Sequence, residues 1–159
     1  MNILNYLLPL TLISCTIPVE SLKEDNESTK LVTWSIDPCL QKFTLAIDTA
    51  MSDWNTYLTK FQFAFDSNSD NIMTCSTILD LNGANGTVYG NYNNLLVIKY
   101  AMDDNLVNFV PKVIVLHELG HVAAHKNSHI ENGPAVMTSI ISSWELTDKD
   151  IEYCGDNCK

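Results

Sequence analysis

Between Gln41 and Leu58 the apolar residues Phe43, Ile47, Ala50, Trp54 and Leu58 recur every three to four positions. That spacing predicts a long amphipathic helix with those side chains in the core. On either side the rhythm changes. LVTWSI, 31 to 36, has the β-branched and aromatic content of a strand, and Asp37-Pro38 breaks it. FQFAF, 61 to 65, alternates with period two and predicts a second strand. NIMTCSTIL, 71 to 79, and LLVIKYA, 95 to 101, predict two more. The Gly- and Asn-rich run 82 to 94 predicts a long irregular loop. Pro111 suits the first turn of a helix. That helix continues to about Ala124, with Val113, Leu116, Gly120 and Ala124 packed inside. Gly133-Pro134 marks a turn, and Thr147 with Asp150 predicts the N-cap and acidic first turn of a short last helix. Strand, helix, strands, helix and short helix make an α+β layer arrangement.

The first 15 residues change the picture of where the chain works. MNILNYLLPLTLISC is apolar from Ile3 to Ile13, too short to span a bilayer and suited to a secretory signal, although its start carries no Lys or Arg. Leu12-Ile13-Ser14-Cys15 resembles a bacterial lipobox, which predicts a lipidated Cys15 and an exported protein of the cell envelope; plain secretion is the alternative. Residues 16 to 30, polar and without periodicity, predict a flexible tether, and 31 to 159 one folded domain. Five cysteines are an awkward number for an exported protein. With Cys15 given to lipid, Cys39, Cys75, Cys154 and Cys158 remain to close two disulfides in an oxidising compartment. Of three connectivities, Cys39 with Cys75 and Cys154 with Cys158 is the one expected. The net charge of −10 offers no basic stripe for phosphates and excludes nucleic acid as a partner. It is compatible with a bound cation such as calcium, and it also serves solubility outside the cell. The expected membrane contact is a lipid anchor only, and a monomer is expected.

All four histidines lie in VLHELGHVAAHKNSHIENGPAVM, 115 to 137. His117 and His121, four apart on a predicted helix, stack on one face within reach of one ion. Glu118 stands between them, placed to accept a proton from a water at that ion. A catalytic zinc needs a third ligand and an open position. His125 is eight residues beyond His117, about 12 Å along a continuing helix, and would reach only if the helix broke directly after His121. His129 follows the polar run Lys126-Asn127-Ser128, where the helix can end and the chain fold back. Asn127 tolerates the left-handed conformation such a reversal needs.

His-Glu-Leu-Gly-His, a downstream histidine and Ala-Val-Met resemble the metzincin zinc metallopeptidases, matrixin-like members in particular. The Trp34 strand, the helix carrying Trp54, the FQFAF strand and the closing LTDKDI stand in matching order, so the likeness covers roughly 31 to 153. It implies a twisted, mostly parallel sheet packed on a long helix and an active-site helix. Two positions depart from the family pattern: Ala124 stands where the usual glycine would be, and Asn127 where the usual third histidine would be. In matrixins the third histidine precedes the turn methionine by eight residues, and eight before Met137 is His129. A two-residue insertion reconciles the two counts. The resemblance then assigns His117, His121 and His129 to the metal, Glu118 to catalysis and Met137 to the turn beneath the site. His125 and Asn127 stay open as the third ligand. A gluzincin plan would instead use Glu145 or Glu131, but too little chain follows His121 to build the helical domain that plan needs.

The function implied is zinc-dependent endopeptidase, acting on a protein or peptide substrate extended along an edge strand, with 95 to 101, including Val97 and Lys99, expected in that role. The family's Pro-Arg-Cys pro-segment does not precede the domain. The alternative from another class is a non-catalytic, lipid-anchored binding protein on a metallopeptidase scaffold. The displaced histidine motivates it, and Glu118 argues against it.

Overall fold

A computed structural model describes residues 30–77, 80–81, 85–90, 96–101 and 112–159. The signal segment, Cys15, most of the tether and Pro111 lie outside the described residues. Strands β1 (Lys30–Ile36), β2 (Phe61–Phe65), β3 (Ile72–Ser76), β4 (Gly86–Gly90) and β5 (Leu96–Ala101) form one sheet in the order β2-β1-β3-β5-β4. β1 pairs in parallel with β2 and β3, and β3 with β5; only β4 runs antiparallel, to β5. Helices α1 (Thr44–Asn55), α2 (Lys112–Ala124) and α3 (Asp148–Cys154) complete an α+β fold with a mostly parallel sheet.

The local chemistry accounts for most of these limits. Pro38 fixes the entry into a 3-10 turn, Pro38–Phe43, and the Asp37 side chain accepts from the Cys39 amide, so α1 starts at Thr44 rather than Gln41. It ends at Asn55, and Leu58 beyond it pairs as an isolated bridge with Cys158. Of the five predicted core positions, Ile47, Ala50, Trp54 and Leu58 are buried and Phe43 packs against them from the surface. β5 buries alternate residues, Leu96, Ile98 and Tyr100, as a strand with one face on a core does. α1 and α2 pack against each other, and the Trp54 indole N–H donates to the Leu116 carbonyl at 2.9 Å. The core runs from Trp34, Ile47 and Trp54 through Met73, Ile98 and Tyr100 to Leu116, Leu119 and Met137. Disulfides join Cys39 to Cys75 and Cys154 to Cys158, the expected pairing.

Two sequence expectations are corrected here. The segment 82 to 94 is not one irregular loop, because Gly86–Gly90 forms β4 within it. In GTVYG three residues keep strand character, and pairing to β5 overrides the glycines at its two ends. It follows that Leu96–Ala101, the described part of 95 to 101, is not an edge. Val97 and Lys99 of β5 face Tyr89 and Thr87 of β4 on one side and Ile72 and Thr74 of β3 on the other, so the strand has no free ladder for a peptide. The edge is β4.

Candidate metal centre

α2 is apolar on nearly every side, with mean burial so high that His117, Glu118 and His121 are themselves 7 %, 4 % and 7 % exposed. Burying three ionisable groups on one helix is costly unless each has a partner. The His117 Nδ1–H donates to the Val136 carbonyl at 2.7 Å, and the His121 Nδ1–H to the Lys126 carbonyl at 2.9 Å. A carbonyl accepts only, so each bond fixes the tautomer and leaves Nε2 as a bare lone pair aimed away from the backbone.

The helix stops at Ala124, and His125 takes the left-handed conformation at φ 52°. The reversal expected at Asn127 thus falls two residues earlier, on a side chain that also stacks on Phe61, with ring centres 6.1 Å apart. Residues 126 to 129 return without regular structure and bring His129 over the helix. Its Nε2 lies 3.1 Å from that of His117, and one nitrogen from each of His117, His121 and His129 falls within 4.8 Å of the others. Two nitrogens about 2.05 Å from one tetrahedral ion stand roughly 3.3 Å apart. The spacing and the lone pairs therefore fit a divalent cation, and this is the sole such group found among the described residues. His125 is not part of it. Glu131 and Glu145, the gluzincin candidates, also stand outside it.

Met137 is fully buried and packs against α2 at Gly120, next to His121 in the sequence. A side chain at Gly120 would collide with the Met137 sulfur and meet the Trp54 ring at 2.9 Å, so glycine is what lets the turn pass under the helix. The turn is held by a residue read from sequence only as the acid of a helix start. Asp150, with no exposure, accepts from the Met137 amide at 2.8 Å and the Val136 amide at 3.1 Å. Its Oδ2 also accepts the Thr147 amide and hydroxyl, both at 2.8 Å. Thr147 and Asp150 at cap spacing predicted the helix; nothing local disclosed that the same carboxylate grips a turn 13 residues upstream.

Glu118 projects into a cleft of about 760 Å³ whose walls include Gly86, Val88, Ile114, Ile140 and Ile141 as well as the three histidines. A Cβ on Gly86 would stand 2.6 Å from Glu118 Oε1, so the β4 backbone runs directly against the carboxyl group. Burial pushes the Glu118 carboxyl up to about 8 in the metal-free protein. Burial likewise holds His121 down to about 4, assisted by His117, and lowers His117, so both imidazoles are neutral and ready to ligate at neutral pH.

No protein-family model matches this chain, and no curated protein matches it either.

Proposed function

We propose that the chain is a zinc-dependent endopeptidase of metzincin-like, matrixin-related fold, with His117, His121 and His129 holding the ion and Glu118 as general base. The observation that carries the reading is the combination at one cleft: ring nitrogens of three histidines within 4.8 Å of one another, and a buried carboxyl beside them that makes no hydrogen bond among the described residues. Three imidazole ligands favour zinc among common divalent ions, and they leave a position open for chemistry. Zinc bound there would supply Lewis acidity, polarising a carbonyl and making a water a better nucleophile near neutral pH.

The protein's own groups supply the rest. Glu118 takes the proton from the attacking water and returns it to the leaving amine. The outer ladder of β4, unpaired among the described residues, is the surface along which an extended peptide would pair, running along Gly86 and so past Glu118. The Val136 and Lys126 carbonyls keep two ligands in the metal-binding tautomer. Export to the cell envelope through the N-terminal segment is part of the same reading, and two disulfides suit an oxidising compartment.

The test combines metal content with turnover. Wild-type protein and His125→Ala should each hold one zinc, and His129→Ala should lose it. Wild type should hydrolyse casein, whereas Glu118→Gln should keep its metal and lose hydrolysis by 10²-fold or more. Zinc retained by wild type without cleavage of casein or of a random peptide library would assign the scaffold to binding instead.

A further inference from the structure

The last imidazole of the cup presents a problem of support. His117 and His121 are buried on a helix, but His129 is exposed and sits at the end of five exposed residues, 125 to 129, that follow the helix stop. A ligand on such a run would sample many positions, and its affinity for an ion would suffer by the entropy of ordering it. Something must fix the run before an ion arrives.

Besides the stacking of His125 on Phe61, contacts to this run come from α3. The Tyr153 hydroxyl donates to the Ser128 carbonyl at 2.6 Å, one residue before His129. It also lies 3.5 Å from the Lys126 carbonyl, the group that accepts from His121 Nδ1 at 2.9 Å. Lys126 answers in the other direction: its ammonium donates to the Tyr153 carbonyl at 2.8 Å and stands 5.0 Å from the centre of the Tyr153 ring. On the far side of His129, the Ile130 amide donates to the Met137 carbonyl at 2.9 Å. The base of this brace is itself held. Cys154, next to Tyr153, is disulfide-bonded to Cys158, and the Asn157 side chain between them donates through Nδ2 to the Ala123 carbonyl in the last turn of α2 at 2.8 Å.

We infer that Tyr153, with Lys126 as its counterpart, is the positioning residue of the metal centre: it clamps the 126–128 run so that His129 and the carbonyl behind His121 are in place before the ion binds. This rests on the metal-centre reading above and adds to it a residue that touches neither ion nor substrate. Tyr153 lies 24 positions after its ligand, on a different helix, and no motif spacing points to it. Burial pushes its phenol above the ordinary tyrosine value, so it remains a donor through the neutral range.

The experiment measures zinc affinity by competition with a chromophoric chelator, and the visible spectrum of the cobalt-substituted protein, for wild type, Tyr153→Phe and Lys126→Met. Tyr153→Phe keeps the ring and deletes only the hydroxyl contacts. Loss of an outer partner of a metal ligand weakens binding by about 10- to 100-fold. The expected result is a loss in that range for Tyr153→Phe, a smaller loss for Lys126→Met, and a cobalt spectrum altered from the wild-type one, with the circular dichroism of the metal-free proteins unchanged and their Tm lowered by no more than a few degrees. Affinity of Tyr153→Phe within twofold of wild type, with an identical cobalt spectrum, would overturn the inference while leaving the metal centre standing. Failure of wild type itself to bind zinc or cobalt would sink the metal-centre reading and this one together. Should Tyr153→Phe not fold, Lys126→Met decides, and unchanged affinity there overturns the clamp.

Discussion

At the scale of single residues, the site is a balance between burial and charge. Glu118 carries the largest consequence. In the metal-free protein its carboxyl is pushed up to about 8 by burial, so it is mostly protonated at pH 7. A cation in the adjacent histidine cup favours the charged form, because an opposite charge within a few ångströms lowers a carboxyl pKa. His117 and His121 are already neutral there and have little proton to give up. Zinc uptake at pH 7 should therefore release close to one proton, most of it from Glu118. Titration calorimetry in buffers of different ionisation enthalpy reads this directly, and Glu118→Gln should release markedly less. Equal release from both proteins would mean that the carboxyl is already ionised. Gly86 offers a second handle. Its missing side chain is what lets β4 approach Glu118 Oε1, and the group a methyl would strike is the end of a flexible side chain. Gly86→Ala should consequently leave fold and zinc content intact and displace the carboxyl, lowering kcat on a peptide substrate tenfold or more.

At the scale of elements, the device that matters is a short helix working at a distance. α3 has seven residues, too few to be stable by itself, and most of its worth lies in what Asp150 and Tyr153 reach. Asp150→Asn replaces an acceptor of four donors by a group with one acceptor oxygen and an N–H₂ that faces donors. The expected cost is about 2–3 kcal/mol, as for removing a charged partner from buried hydrogen bonds. Since Val136 carries the carbonyl that orients His117, zinc affinity should fall as well; urea unfolding and chelator competition check the two effects. Unchanged stability would mean the turn is held by packing of Met137 alone. The same division between near and far explains what could be read from the chain. His117, Glu118 and His121 are legible because a helix brings fourth neighbours together whatever surrounds it. The strand character of FQFAF and the helical spacing around Trp54 are legible for the same reason. β4 is not: its five residues begin and end in glycine, and only pairing with β5 makes them a strand. The order of strands, and with it the identity of the edge, depends on contacts between segments that local periodicity does not encode. The helix end near Ala124 is legible, but the left-handed residue of the reversal is expected two residues late, because asparagine tolerates positive φ in general, whereas here His125 takes it with Phe61 to stack upon.

At the scale of the whole molecule, stability without metal becomes a contest between the same buried groups. Glu118 has a folded pKa raised to about 8 against an unfolded value near 4.5, so between those values the folded chain binds the extra proton and stability rises as pH falls. His121 runs the other way. Its folded pKa is lowered to about 4 from 6.5, so between 6.5 and 4 the unfolded chain binds the extra proton and stability drops as pH falls. His117 and His125 are shifted in the same direction as His121. From pH 8 to 6.5 the carboxyl acts alone, and below 6.5 it is outnumbered by histidines. The metal-free protein should accordingly show a maximum in Tm near pH 6.5 when it is scanned in the presence of a chelator. Glu118→Gln should flatten the alkaline limb and leave the acid limb as it is. Adding zinc stabilises the folded chain by mass action, most where the imidazoles are unprotonated and Glu118 can ionise, so the maximum should move above pH 7 as Tm rises. A metal-free Tm that stays level from pH 8 to 5 would show that these side chains are solvated in the folded protein, and the cup would then lack the dry setting on which its chemistry depends.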